Sequence, residues 1–122
     1  MTKTGKIMMG LGTLIVALVF CSAVYAAEDP VKVAPNSHKV LLENENVRVL
    51  EFTAKAGDKI GMHSHPNHVV YVLSDAKVTF ISEDGKREER ALKAGTSVWV
   101  DAVTHATEHA EAVHVILVEL KK

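Results

Sequence analysis

"GMHSHPNHVVYVL", residues 61–73, sets three histidines within six positions of a stretch built from β-formers. Side chains alternate across a strand, so His63 and His65 point to one face, near enough for two imidazoles to converge on one ion. His68 would fall on the opposite face of an unbroken strand. Pro66-Asn67 removes that objection, because proline cannot donate to a β-ladder and the pair favours a turn. A strand restarting at His68 then puts His68, Val70 and Val72 on one face.

Working outward, short β-prone runs recur on both sides: "HKVLL", "VRVLEFT", "KIGMHSH", "HVVYVLS", "KVTFIS", "REERAL", "SVWVDA" and "VHVILVEL". Asn44, Gly57, Pro66, Asp75, Gly85 and Gly95 fall at or near the breaks. Eight short runs predict an all-β fold, a small β-barrel or jelly roll that hides its own edges. Within "SEDGKRE", Asp84-Gly85 is expected to form a two-residue hairpin pairing strands 76–81 and 87–91. "KAG" occurs at 55–57 and again at 93–95, each time ahead of a β-run leading to histidine, which suggests comparable positions for the two histidine groups.

The N-terminal part reads differently. Lys3 and Lys6 precede an uncharged apolar run closing in "VYA", the pattern of a secretory signal peptide over 1–26, removed before Ala27. Its length approaches that of a membrane span, but Gly10, Gly12 and the small-residue exit favour cleavage over a retained anchor. The bulky Phe20 before Cys21 argues against a lipoprotein. A Pro-bearing polar linker over 27–37, expected to be loosely ordered, then leads into one barrel domain over 38–122. The expected location is secreted or periplasmic, with no membrane association after cleavage.

Cys21 is the only cysteine and leaves with the leader, so the mature chain would have neither disulfide nor thiolate site. Lys3 and Lys6 are lost from 14 basic residues while all 15 acidic ones stay, giving a net charge of −3 and no basic face for nucleic acid. All seven histidines remain, so any metal must be held by nitrogen and oxygen.

With His105 after "SVWVDAVT", these residues carry a resemblance to small single-domain cupins, RmlC-like jelly rolls. Gly57, "DKIGM", His63, Ser64, His65 and "VVYVLS" resemble the first cupin motif; "KAGTSVWVDAVTH", with Gly95 and His105, resembles the second. The likeness spans about Val47 to Leu120. Counted from Tyr71, the glutamate of the first motif is His68 here, and the gap after His65 is one residue short. In the second motif Asp101 and Val103 replace proline and glycine, the turn is one residue tighter, and His109 stands where asparagine is usual.

The resemblance implies a metal at His63, His65, His68 and His105 in the barrel, with a small-molecule ligand or substrate entering at its mouth. Without the glutamate, four neutral imidazoles leave a divalent ion's charge uncompensated. Imidazole suits Cu, Zn, Fe or Ni, so a divalent transition metal of that group is expected. A metal-binding cupin is the leading expectation, with a small-molecule metalloenzyme of dioxygenase or isomerase type as the enzymatic form that fold analogy offers; a non-catalytic metal- or ligand-binding module and a metal-free carrier are the rivals. No catalytic residue is assigned, and Glu108 and Asp101 lack a spacing that places them beside an ion. A homodimer is compatible with the family, though no interface is legible.

Other readings compete for single residues. "HATEH", His105 to His109, fits H-x-x-E-H, but an inverted zincin needs a long helix and a further carboxylate downstream, and few residues follow. His109 suits a role supporting the ligands or a surface position, His38 and His114 default to structure or solvent, and Tyr71 and Trp99 are open to lining a pocket or packing. Free imidazole protonates near pH 6.5, so a histidine-held ion is expected to leave as pH falls below about that value.

Overall fold

The computed structural model describes residues 28–122; the expected leader over 1–26 lies outside them. A four-residue helix, α1 (Pro30–Val33), precedes nine strands: β1 (His38–Glu43), β2 (Val47–Ala54), β3 (Lys59–His65), β4 (His68–Val72), β5 (Ala76–Ser82), β6 (Arg87–Leu92), β7 (Ser97–Val100), β8 (Val103–His109) and β9 (Val113–Leu120). They form a five-stranded sheet in the order β1-β2-β9-β4-β7 and a four-stranded sheet in the order β3-β8-β5-β6, with every pairing antiparallel. Apart from the β1-β2 and β5-β6 hairpins, strands consecutive in sequence lie in opposite sheets, as in a jelly roll.

The core lies between the sheets. Leu50, Phe52 and Ala54 from β2 meet Val72 of β4, Val78 of β5 and Val113, Val115 and Leu117 of β9. Leu50 and Val72 are fully buried. Along β9 the burial alternates strictly, so Val113, Val115, Leu117 and Glu119 all face inward. β2 alternates from Leu50 onward, and Arg48 is in phase with the buried Leu50, Phe52 and Ala54.

Three sequence expectations change. Val103–His109 is a ninth strand, paired to β3 on one side and β5 on the other, which also excludes a helical H-x-x-E-H site. The hairpin loop between Ser82 and Lys86 has three residues, 83–85: Ser82 N–H bonds Lys86 O at 2.9 Å, Gly85 N–H bonds Ser82 O at 2.9 Å, and only Gly85 takes a positive φ, of 85°. A turn followed by a left-handed glycine restores the strand twist without requiring Asp84 to leave ordinary backbone space.

The residues before β1 are not a loose tether. Asp29 caps α1 by accepting Val31 N–H at 2.9 Å, Pro30 is fully buried, and Ser64 N–H donates to Glu28 O at 2.8 Å. The segment forms an arm along the outer side of β3, an edge strand.

The two "KAG" segments are the same turn. Gly57 and Gly95 have φ of 92° and 81°, and in each the residue after the glycine donates back to the lysine carbonyl, Asp58 to Lys55 and Thr96 to Lys93. The strands that follow enter opposite sheets, β3 and β7. The repeat is therefore one of turn chemistry, and the histidines meet for another reason.

Candidate metal centre

That reason is register. β3 and β8 pair so that His63 lies directly opposite His105. On β3 both Ile60 and His63 are buried, although an odd separation puts residues on opposite faces of a regular strand. A register shift between Ile60 and His63 absorbs the extra residue, as a bulge does. The same irregularity brings the Gly61 carbonyl against the His63 ring, where it accepts from Nδ1 at 2.7 Å.

His63, His65 and His105 form one group whose ligand atoms lie within 4.8 Å of one another. The His63 ring centroid is 4.9 Å from that of His65 and 4.8 Å from that of His105, and His65 is 5.3 Å from His105. His68 begins β4 in the other sheet, beyond the corner at Pro66-Asn67, and its ring stands 4.8 Å from that of His65. It borders the three-histidine group without being one of its members. Asn67 fixes the corner: its side-chain oxygen accepts Ala102 N–H at 2.8 Å and its carbonyl accepts Leu120 N–H at 2.9 Å.

Hydrogen bonds select the free nitrogen on three of these rings. His63 Nδ1–H donates to Gly61 O, His68 Nδ1–H to Pro66 O at 2.7 Å, and His65 Nδ1–H to Glu119 Oε2 at 2.8 Å. Oxygen only accepts in each case, so the Nε2 lone pairs are left for an ion; a carboxylate behind a ligand histidine fixes tautomer and ring and raises basicity.

Burial also favours the neutral form of His63, His68 and His105. It pushes His63 down to about 4, with neighbouring His65 and His38 adding to the effect, and His105 down to about 3, with His63, His65 and His68 adding. His68 is lowered by burial too. Converging neutral imidazoles with oriented lone pairs fit a transition metal. They also alter the pH expectation, since protons compete for His63 and His105 only well below 6.5.

Glu119 escaped the sequence reading. It is 2% exposed and also accepts from Arg48 Nε at 2.7 Å. Burial alone would raise its carboxyl, but the bonds from His65 and Arg48 outweigh that and hold it below its usual range. Its signal was present: an acid in phase with the inward Val113, Val115 and Leu117 of "VHVILVEL".

The remaining histidines are outside the three-membered group, although the His38 ring stands 5.9 Å from that of His63. His109 is buried, bonds Thr107 Oγ1 through Nε2 at 2.9 Å, and leaves Nδ1 without a partner. His38 is buried, donates to Ala34 O, and stacks beside Phe52. His114 pairs with Glu51 at 3.0 Å on the outer face. Glu108 pairs outward with Arg87 and Lys59. Asp101 accepts from Trp99 Nε1 at 2.9 Å, and Trp99 and Tyr71 are about half exposed rather than lining the interior.

A cavity of about 610 Å³ opens beside the three histidines, walled by apolar side chains such as Val70, Phe80, Val100 and Leu117. Arg90 lies over the Phe80 ring, 5.5 Å from its centroid, and Phe80 packs against His105 at 5.4 Å.

No protein-family model and no curated protein matches the chain. Solved structures do. A cupin domain from Bordetella pertussis Tohama I is 22% identical, with a TM-score of 0.64 over 70% of this chain and 92% of that one. A protein with a double-stranded β-helix domain from Klebsiella pneumoniae is 22% identical, with a TM-score of 0.56 over 69% and 75%. An RmlC-like cupin from Desulfovibrio desulfuricans is 19% identical, with a TM-score of 0.53 over 69% and 80%. These likenesses establish the cupin fold, a jelly-roll barrel.

Proposed function

We propose that this cupin-fold chain is an exported protein that binds one divalent transition metal through His63, His65 and His105, with His68 completing a four-nitrogen set, and presents it to a small molecule in the barrel. The observation that carries the reading is the mutual approach of three ligand atoms within 4.8 Å from two strands, two of the rings oriented by Nδ1 hydrogen bonds. Imidazole donors favour Cu, Zn, Fe or Ni.

A bound ion would supply Lewis acidity or redox chemistry to an oxygen-bearing ligand. The chain's own part is to line the site with Val70, Phe80, Val100 and Leu117 and to hold His63 and His105 neutral. The adjoining cavity, about 610 Å³, has room for a small molecule. This favours a metalloenzyme of dioxygenase or isomerase type over a closed storage site.

A specific observation supports the second reading, a non-catalytic metal- or ligand-binding module. Glu119, whose carboxylate contacts a histidine of the group, is engaged by Arg48 and His65 and is not a free base. Elemental analysis of protein purified without an affinity tag tests the shared claim: about one equivalent of transition metal is expected. Absence of metal, together with no tight uptake on reconstitution, would overturn it. Water exchange at the loaded ion, measured by relaxation, then separates an open site from a saturated one.

A further inference from the structure

His65 is tied to the N-terminal arm by an unbroken chain of charged hydrogen bonds. Its Nδ1–H reaches Glu119 Oε2 at 2.8 Å, and Arg48 donates to Glu119 Oε1 from Nε at 2.7 Å. The outer side of the same guanidinium donates to Asp29, from Nη1 to Oδ2 at 2.8 Å and from Nη2 to Oδ1 at 3.1 Å. Arg48 and Glu119 are opposed in register on β2 and β9, but Asp29 comes from outside the barrel.

We infer that Asp29 is a positioning residue for the metal centre: it holds the Arg48 guanidinium, which holds the Glu119 carboxylate, which fixes the His65 ring. The inference rests on the metal-binding reading above. Arginine has a long side chain with many rotamers, and a planar two-point grip removes that freedom. Asp29 provides the grip from a fixed place, because it caps α1 through Val31 N–H and the preceding Glu28 carbonyl holds Ser64 N–H. Ser64 lies between His63 and His65, so the arm grasps the ligand strand by its backbone and, through Arg48 and Glu119, one ligand by its ring.

The test compares wild type, Asp29→Ser, Glu119→Gln and the double variant. Serine preserves the cap but is too short to bridge to Arg48. Zinc affinity is measured by chelator competition, the cobalt-loaded visible spectrum reports ligand geometry, and the melting temperature of the metal-free protein reports fold. Glu119→Gln is expected to weaken zinc about 10- to 100-fold, and Asp29→Ser, one link further out, about three- to tenfold with a shifted cobalt spectrum. The double variant should bind no more weakly than Glu119→Gln alone.

An Asp29→Ser protein with wild-type affinity and spectrum overturns the inference, even if its melting temperature falls. So does an undiminished effect of Asp29→Ser in the Glu119→Gln background. Wild-type protein that takes up no zinc or cobalt overturns the metal-binding reading itself, a result distinguishable from both.

Discussion

His63 and His105 are directly opposed across β3 and β8, with ring centroids 4.8 Å apart. Two candidate ligands 42 positions apart in sequence are thereby fixed by backbone pairing instead of by loops. Preorganisation of this kind lowers the ordering cost of binding.

Substituting either one should therefore remove metal binding without removing the fold. His63→Ala and His105→Ala are each expected to lower zinc affinity by at least about a hundredfold, more than the loss of a supporting residue costs. Chelator competition beside circular dichroism checks this; near-native affinity in both variants would exclude this centre.

His68 stands beside the group and should contribute less, about tenfold on changing to alanine, if it supplies the fourth nitrogen. His68→Glu introduces the carboxylate that the resemblance implies at this point, adding a negative charge and a hard oxygen donor. Binding should shift toward manganese relative to copper. Competition between the two ions in the same sample provides the measurement.

The pH behaviour follows from burial. His63 titrates at about 4 and His105 at about 3 in the fold, while an unfolded histidine titrates near 6.5. Above 6.5 the folded and unfolded states bind these protons equally. As pH falls from 6.5 toward 4, the unfolded state takes up protons that the folded state refuses, so stability declines across that window. The melting temperature of metal-free protein should fall there, and the loaded protein should retain its ion below pH 6, releasing it only as pH approaches 4. Complete release at pH 6 would contradict neutral buried ligands.

Two stability variants probe the scaffold. Gly85→Ala places a side chain at φ 85°, with nothing within 4 Å to obstruct it, so only backbone strain opposes it, at about 1–2 kcal/mol. Leu50→Ala empties a fully buried site between the sheets and should cost about 2–5 kcal/mol. Denaturant unfolding of both gives the comparison.

The scaffold was most legible where turn residues bracket a β-prone run, as Gly57 and Pro66 bracket β3 and Gly85 and Gly95 bracket β6. β3, β6 and β9 begin and end where their runs predict. β8 escaped because its inward positions after Val103 are His105, Thr107 and His109, and these polar residues erase its apolar rhythm. His63 and His65 were legible from their spacing, and His68 and His105 joined them through the resemblance. Their support was not, since Glu119 reads as one acid in an apolar run, and its partner Arg48 becomes visible only when β2 and β9 are paired. The arm was misread because composition reports polarity and cannot report the ion pair that Asp29 makes with Arg48.

β8 has hydrogen-bonded neighbours on both sides, whereas β3 is the outermost strand of its sheet. An ion shared by His63, His65 and His105 would rivet that margin to the interior. Amide protons along Lys59–His65 should then exchange with solvent more slowly in the loaded protein, and stripping the ion would let the barrel's rim begin to peel.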